Sequence, residues 1–154
     1  MTTLTRILVP IDFNPRSVRA LDYGRTLADA CGASLHLLHV INDPLADSRA
    51  RAAHQAEAIA RLDALLEERD RQVRHVTTHC EFGTPAEAIA RVAAAEGIDL
   101  VVMGSHSHGP TFQMACGSVA EAVLGTAPCA VLAVKDPAAV TSAIDPPAAL
   151  ESSP

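Results

Sequence analysis

The sequence predicts an α/β fold: one open sheet of five parallel strands with helices on both faces. Three observations predict it. Short apolar runs of strand length alternate with amphipathic stretches of helical length from Arg6 to Val134. The run Leu100–Met103 is apolar throughout, as a strand covered on both faces must be. Helix start and stop signals separate the runs, with Pro15 and Pro85 at first turns and Gly32 and Gly97 at ends. A length of 154 residues fits a single domain. A chain of this size buries roughly 68–70% of its unfolded surface, enough to hold a core without disulfide or metal.

The elements follow in order. Arg6–Ile11 is a short apolar run, read as a buried strand. Asn14 supplies an N-cap and Pro15 the first helical position. Val18, Leu21, Gly24, Ala28 and Cys31 then form one apolar stripe. Gly32 is placed to end that helix in the left-handed conformation. Ser34–Ile41 is the second strand. One long Ala-rich helix is expected over residues 45–71, with Ala52, Ala56, Ile59, Leu62 and Leu66 inward. Val73–Phe82 is a third, more polar strand that belongs near an edge. Thr84 and Glu87 stand at capping-box spacing and open a helix running to Glu96. Asp99–Met103 is the fourth strand. After a Gly/Ser/His loop, Ser118 and Glu121 form a second capping box, opening a helix to about residue 124. Cys129–Val134 is the fifth strand. Residues 1–136 thus form the domain, and 137–154, rich in Ala, Pro and Ser, are read as a flexible tail.

Composition excludes several functions. Apolar residues make up 49% and charged residues 19%, which is globular, and the net charge is −6 with no basic run. Neither nucleic acid nor an anionic membrane is expected as the main partner. No apolar run approaches the roughly 20 residues that a spanning helix needs. The start of the chain has no signal-peptide core, so a cytoplasmic protein is expected. No two glycines lie two apart, which removes the G-x-G-x-x-G fingerprint, and none lie four apart, which removes a nucleophile elbow. The single lysine, Lys135, has no Walker glycines before it. The four cysteines contain no C-x-x-C pair and read as reduced thiols. His75 and His79 lack the zincin glutamate. Ligands of open α/β sheets bind beyond the carboxyl ends of the strands, where strand order reverses. Asp12 and the loop from Gly104 are the residues so placed.

The segments Ile7-Leu-Val-Pro-Ile-Asp12, Met103-Gly-Ser-His-Ser-His-Gly109, Gly117-Ser118 and Ala127-Pro-Cys-Ala-Val-Leu-Ala-Val134 together resemble the universal stress protein family, in order, from Arg6 to Lys135. The resemblance implies the strand order 3-2-1-4-5 and a homodimer. Its ATP-binding branch carries Gly-x2-Gly-x9-Gly-(Ser/Thr). Gly104, Gly117 and Ser118 match, while Ser107 stands at the second glycine. The ligand so implied is ATP or AMP, with Mg as an accompanying ion. The binding residues carry over as Pro10, Asp12, Val40, Met103, Gly104, Gly117 and Ser118, with Ser107 in the variant position.

The chemistry of these residues can be read directly. A loop that leaves a strand and ends at a helix N-terminus offers unpaired N–H groups to an anion. Gly104 would let backbone approach a ribose or phosphate, and Asp12 would accept from a ribose or an adenine edge. Val40 and Met103 would wall a purine. A left-handed backbone at Ser107 costs a non-glycine residue roughly 1–2 kcal/mol, which is about ten- to thirtyfold in affinity. Plainer roles stand beside these. Ser118 caps its helix, Asp12 caps the turn before Pro15, and Met103 fills core.

His106 and His108 lack a third ligand of known position, and no metal site is expected. His36 and His39 lie on opposite faces of their strand, so they form no site by themselves, and at least one is expected to be hydrogen-bonded under a helix. Cys116, beside a helix start, is either a redox thiol or a small packed one. The uncharged run Ala130–Val134 would be an unprotected edge strand. Pairing with its own copy about a two-fold axis would cover it. Two functions remain: a non-enzymatic, adenine-nucleotide-binding stress or signalling homodimer, and a nucleotide-free dimeric interaction module of the same fold. An enzyme is disfavoured because no nucleophile–base pairing is evident.

Overall fold

The structure, a computed structural model, describes residues 1–105 and 117–135. The elements are β1 (Arg6–Pro10), α1 (Pro15–Cys31), β2 (Ser34–Ile41), α2 (Ser48–Leu65), α3 (Glu68–Gln72), β3 (Thr77–Phe82), α4 (Pro85–Ala95), β4 (Leu100–Gly104), α5 (Ser118–Thr126) and β5 (Ala130–Val134). The strands form one sheet in the order β3-β2-β1-β4-β5, with every pairing parallel. The expected fold class and strand order are therefore observed. The chain winds outward from β1 to β3, then returns to the other side of β1, so β1 and β4 diverge at the centre.

Alternation along the central strands divides the core. Ile7, Val9, Leu35, Leu37 and Val102 pack with Leu21 and Ala28 of α1 and Leu62 of α2. Leu8, Leu38, Val101 and Met103 face Ile89 and Val92 of α4 and Val123 of α5. Successive strand residues point to opposite faces, so both halves of β1 are apolar. Gly24 brings α1 onto the sheet: a Cβ there would stand 2.7 Å from Val9 Cγ2.

Helix α1 begins and ends as expected. Asn14 accepts from the amides of Arg16 and Ser17, and Gly32 closes the helix at φ 67°, ψ 30°. Its buried face, however, includes Ser17, Ala20 and Arg25, while Cys31 is exposed and leaves the expected stripe.

The single helix expected over residues 45–71 is broken in two. Arg25 Nη2 donates to the Leu65 carbonyl at 2.8 Å, occupying the acceptor that a continuing helix would use. Leu66 turns extended, and α3 starts afresh with Asp70 accepting from the Glu67 amide at 2.9 Å. The inward face of α2 is Ala58 and Leu62. Ala52, Ala56 and Ile59 are exposed, contrary to the expectation.

Asp70 is fully buried between Arg25 and Arg74, and Arg74 also makes a paired contact with Asp29 of α1. Burial pushes the Asp70 carboxyl up. Hydrogen bonds from Arg25, the Glu67 amide and Arg74 outweigh it and hold Asp70 below the usual carboxylate range. This network turns Arg74 inward and delays β3, which begins at Thr77 instead of Val73. The polar β3 is an edge strand, as its composition predicts.

The remaining strand ends shift by one residue. β1 stops at Pro10, β4 runs from Leu100 to Gly104, and β5 starts at Ala130. Asp99 is a staple instead of a strand residue, accepting from the Thr5 amide, the Thr5 hydroxyl and the Arg6 amide.

Candidate functional site

A helix that directly follows a strand of a parallel sheet starts near that strand's carboxyl end. Here the starts of α1, α4 and α5 converge on the gap between β1 and β4. A cleft of about 290 Å³ lies there. Pro10, Asp12, Val40, Met103, Gly104, Gly117 and Ser118 all line it, from four separate stretches of sequence. Ser107, with His106, His108 and Cys116, lies outside the described residues, as does the tail from residue 136.

The β1–α1 loop forms one wall. Asp12 Oδ1 accepts from the Asn14 amide at 3.1 Å, and Oδ2 accepts from Asn14 Nδ2 at 2.6 Å. Asp12 thus does serve the following turn, and its exposed carboxylate also faces the cleft. Between them Phe13 adopts φ 64°. A bulky residue pays roughly 1–2 kcal/mol for that conformation, so its ring must be held. Its ring centroid lies 4.6 Å from that of His39, and the Arg61 guanidinium carbon sits over the Phe13 ring, 3.9 Å from its centroid. His39 Nδ1 donates to the Ile11 carbonyl at 2.7 Å, fixing this tautomer and leaving Nε2 to act elsewhere. His39 lines the cleft and was not legible as a site residue, while Phe13 packs behind it against the core. The strain at Phe13 has no sequence signature, although His39 next to Val40 at a strand end could have drawn attention.

The other walls are apolar and helical. Leu38, Val40, Ile89 and Met103 supply apolar surface. Met103 is 5% exposed, so it is core and wall together.

Two sequence expectations are corrected. Ser118 does not cap α5. The N-cap is Gly117, at φ 71° and ψ 154°, a conformation nearly confined to glycine, and Ser118 is the first helical residue. With no side-chain cap at Gly117, the first-turn amides of Ser118, Val119 and Ala120 border the cleft at the positive end of the helix. Likewise Thr84 caps α4 through its backbone position only, with no side-chain hydrogen bond, so the Thr84–Glu87 box is not formed.

Gly104 has a packing reason as well. A Cβ at this position would stand 2.9 Å from the Arg16 carbonyl oxygen and 3.0 Å from its carbon. The glycine lets the end of β4 press against the start of α1, and that contact closes the floor of the cleft.

An open five-stranded parallel sheet with a cleft at its switch point defines the class, a small doubly wound α/β protein. A model of the universal stress protein family matches residues 3–135. A universal stress protein A homologue of Coxiella burnetii is 30% identical over 147 residues, covering 88% of this chain and 97% of its own. The chain therefore belongs to the universal stress protein family. The solved structure of the Methanocaldococcus jannaschii universal stress protein MJ0577 is 27% identical with a TM-score of 0.74, covering 88% of this chain and 98% of that one. The structure of UspA from Lactobacillus plantarum is 26% identical with a TM-score of 0.68, covering 87% and 99%. A universal stress protein solved in complex with cAMP, 22% identical with a TM-score of 0.62 and coverage of 86% and 98%, shares the fold. Among the described residues no helix is long and apolar enough to cross a membrane.

Proposed function

We propose that the chain is an adenine-nucleotide-binding universal stress protein that acts as a homodimer, a stress or signalling component without efficient catalysis. The observation that carries the reading is the convergence of seven residues from four segments on one cleft at the β1–β4 switch point. The groups present fit such a ligand. Val40, Ile89 and Met103 offer apolar surface to a flat base, and the Asp12 carboxylate accepts from ribose hydroxyls. The first-turn amides of α5, backed by the helix dipole, suit a phosphate. That a protein of this fold was solved with cAMP accords with the assignment. Bound nucleotide would supply an adenine-dependent conformational signal, with Mg accompanying a triphosphate.

The dimer rests on a separate feature. β5 is at the edge of the sheet, carries no charge, and leaves Leu132 38% exposed. Antiparallel pairing with a second copy satisfies both edges.

Mass spectrometry of the acid-released supernatant of the purified chain tests the nucleotide. ATP or AMP in it, together with ATP binding that Gly117→Val abolishes, supports the reading. A chain free of nucleotide that shows no thermal shift at millimolar ATP overturns it and leaves the nucleotide-free dimeric module.

A further inference from the structure

At the opposite end of the sheet three metal-ligating side chains meet. His36 of β2 and His79 of the edge strand β3 point to the same face, and their rings stack with centroids 5.3 Å apart and planes 11° apart. His36 Nδ1 and His79 Nε2 are 3.0 Å apart. Glu96, which ends α4, completes the group, and the ligand atoms of all three lie within 4.8 Å of one another. We propose that His36, His79 and Glu96 form a site for a divalent transition metal of the zinc class, independent of the nucleotide cleft.

The chemistry supports this set. Two imidazoles and one carboxylate are a ligand set that suits Zn²⁺, and they leave a fourth tetrahedral position to water. The short N···N hydrogen bond requires at least one ring to be neutral, so a ligating lone pair already lies between the rings. Zn–N bonds of about 2.0–2.1 Å at tetrahedral angles place ligand nitrogens about 3.3–3.4 Å apart. The rings would therefore open by only a few tenths of an ångström. His36 is 6% exposed and fixed, His79 is half-buried, and Glu96 is exposed and able to swing in. The carboxyl end of α4 adds the negative end of its dipole. Arg6 opposes binding: its positive charge acts on His36, and its Nη1 reaches the residue after Glu96, 3.0 Å from where a Cβ on Gly97 would sit. A bound ion would tie the edge strand to β2 and to α4.

From sequence alone no metal site is expected within the protein, since His106 and His108 lack a third ligand; His36, His79 and Glu96 come from two strands and a helix end and carry no motif spacing. The test is calorimetric titration of Zn²⁺ alone into the metal-stripped full chain, for the native protein and for His79→Ala, Glu96→Gln and Arg6→Gln. One native site is expected, with affinity at least about tenfold weaker in His79→Ala and in Glu96→Gln, and tighter in Arg6→Gln. Co²⁺ in place of Zn²⁺ should give visible ligand-field bands without thiolate charge transfer. Absence of native binding, affinity unchanged by Glu96→Gln, or a thiolate band that places the ion on cysteine each overturns the site. Glu96 lies on the surface, so its variant keeps the test decisive even where His79→Ala unfolds.

Discussion

Gly104→Ala is the sharpest probe of how the cleft is built. The added methyl would meet the Arg16 carbonyl oxygen at 2.9 Å, its carbon at 3.0 Å and the Arg16 Cβ at 3.1 Å. Two of these three atoms are backbone, so no side-chain rotation relieves the contact. Either β4 or the first turn of α1 must move. Overpacking of this kind costs about 1–3 kcal/mol, and at this chain length each kcal/mol is worth roughly 2–4 °C in Tm. A drop of about 2–12 °C follows. Gly125→Ala is the internal control. It lies within α5, nothing stands within 4 Å of its added Cβ, and its backbone is not left-handed. Alanine there should stabilise by about 0.5–1 kcal/mol through helix propensity. Urea unfolding of native protein and both variants measures the two signs, and an ATP titration shows whether the displaced wall also weakens binding. Equal or greater stability for Gly104→Ala would refute the close approach of β4 and α1 as the reason for this glycine.

Three further outcomes are expected. Asp70→Asn leaves Arg25 and Arg74 buried without their shared carboxylate and should cost about 3–5 kcal/mol in urea unfolding. Because the folded Asp70 is held below the usual carboxylate range, its contribution is present above the unfolded value, about 3.9, and is lost as pH falls through the lower folded value. The stability gap between native protein and Asp70→Asn should therefore close in acid, and a gap that persists unchanged below both values would refute the assignment. Val131→Asp with Ala133→Asp should sediment as monomer at micromolar concentration, whereas a native chain that is monomeric at high concentration would remove the β5 dimer. Ser107→Gly should tighten ATP binding by up to about ten- to thirtyfold; equal titrations for Ser107→Gly and native protein would take that loop position out of the site.

By itself the sequence determined the α/β alternation, because apolar period and helix signals are local. Asn14-Pro15 and Gly32 act within a few residues of themselves, and the structure keeps both ends of α1 where they place them. Family resemblance added the strand order and the residues now found together around the cleft. What tertiary structure decided is what depends on distant partners. Arg25, 40 residues away, breaks the expected long helix by taking the Leu65 carbonyl, and Asp70 with Arg74 shortens β3. Gly117 displaces Ser118 as cap because the chain enters α5 at a positive φ that no local pattern announces. Gly104 is required by α1, which arrives from another part of the chain. His36 and His79, 43 residues apart, meet only because β2 and β3 pair in one register. Local propensity is written residue by residue, whereas such contacts exist only once the sheet has assembled.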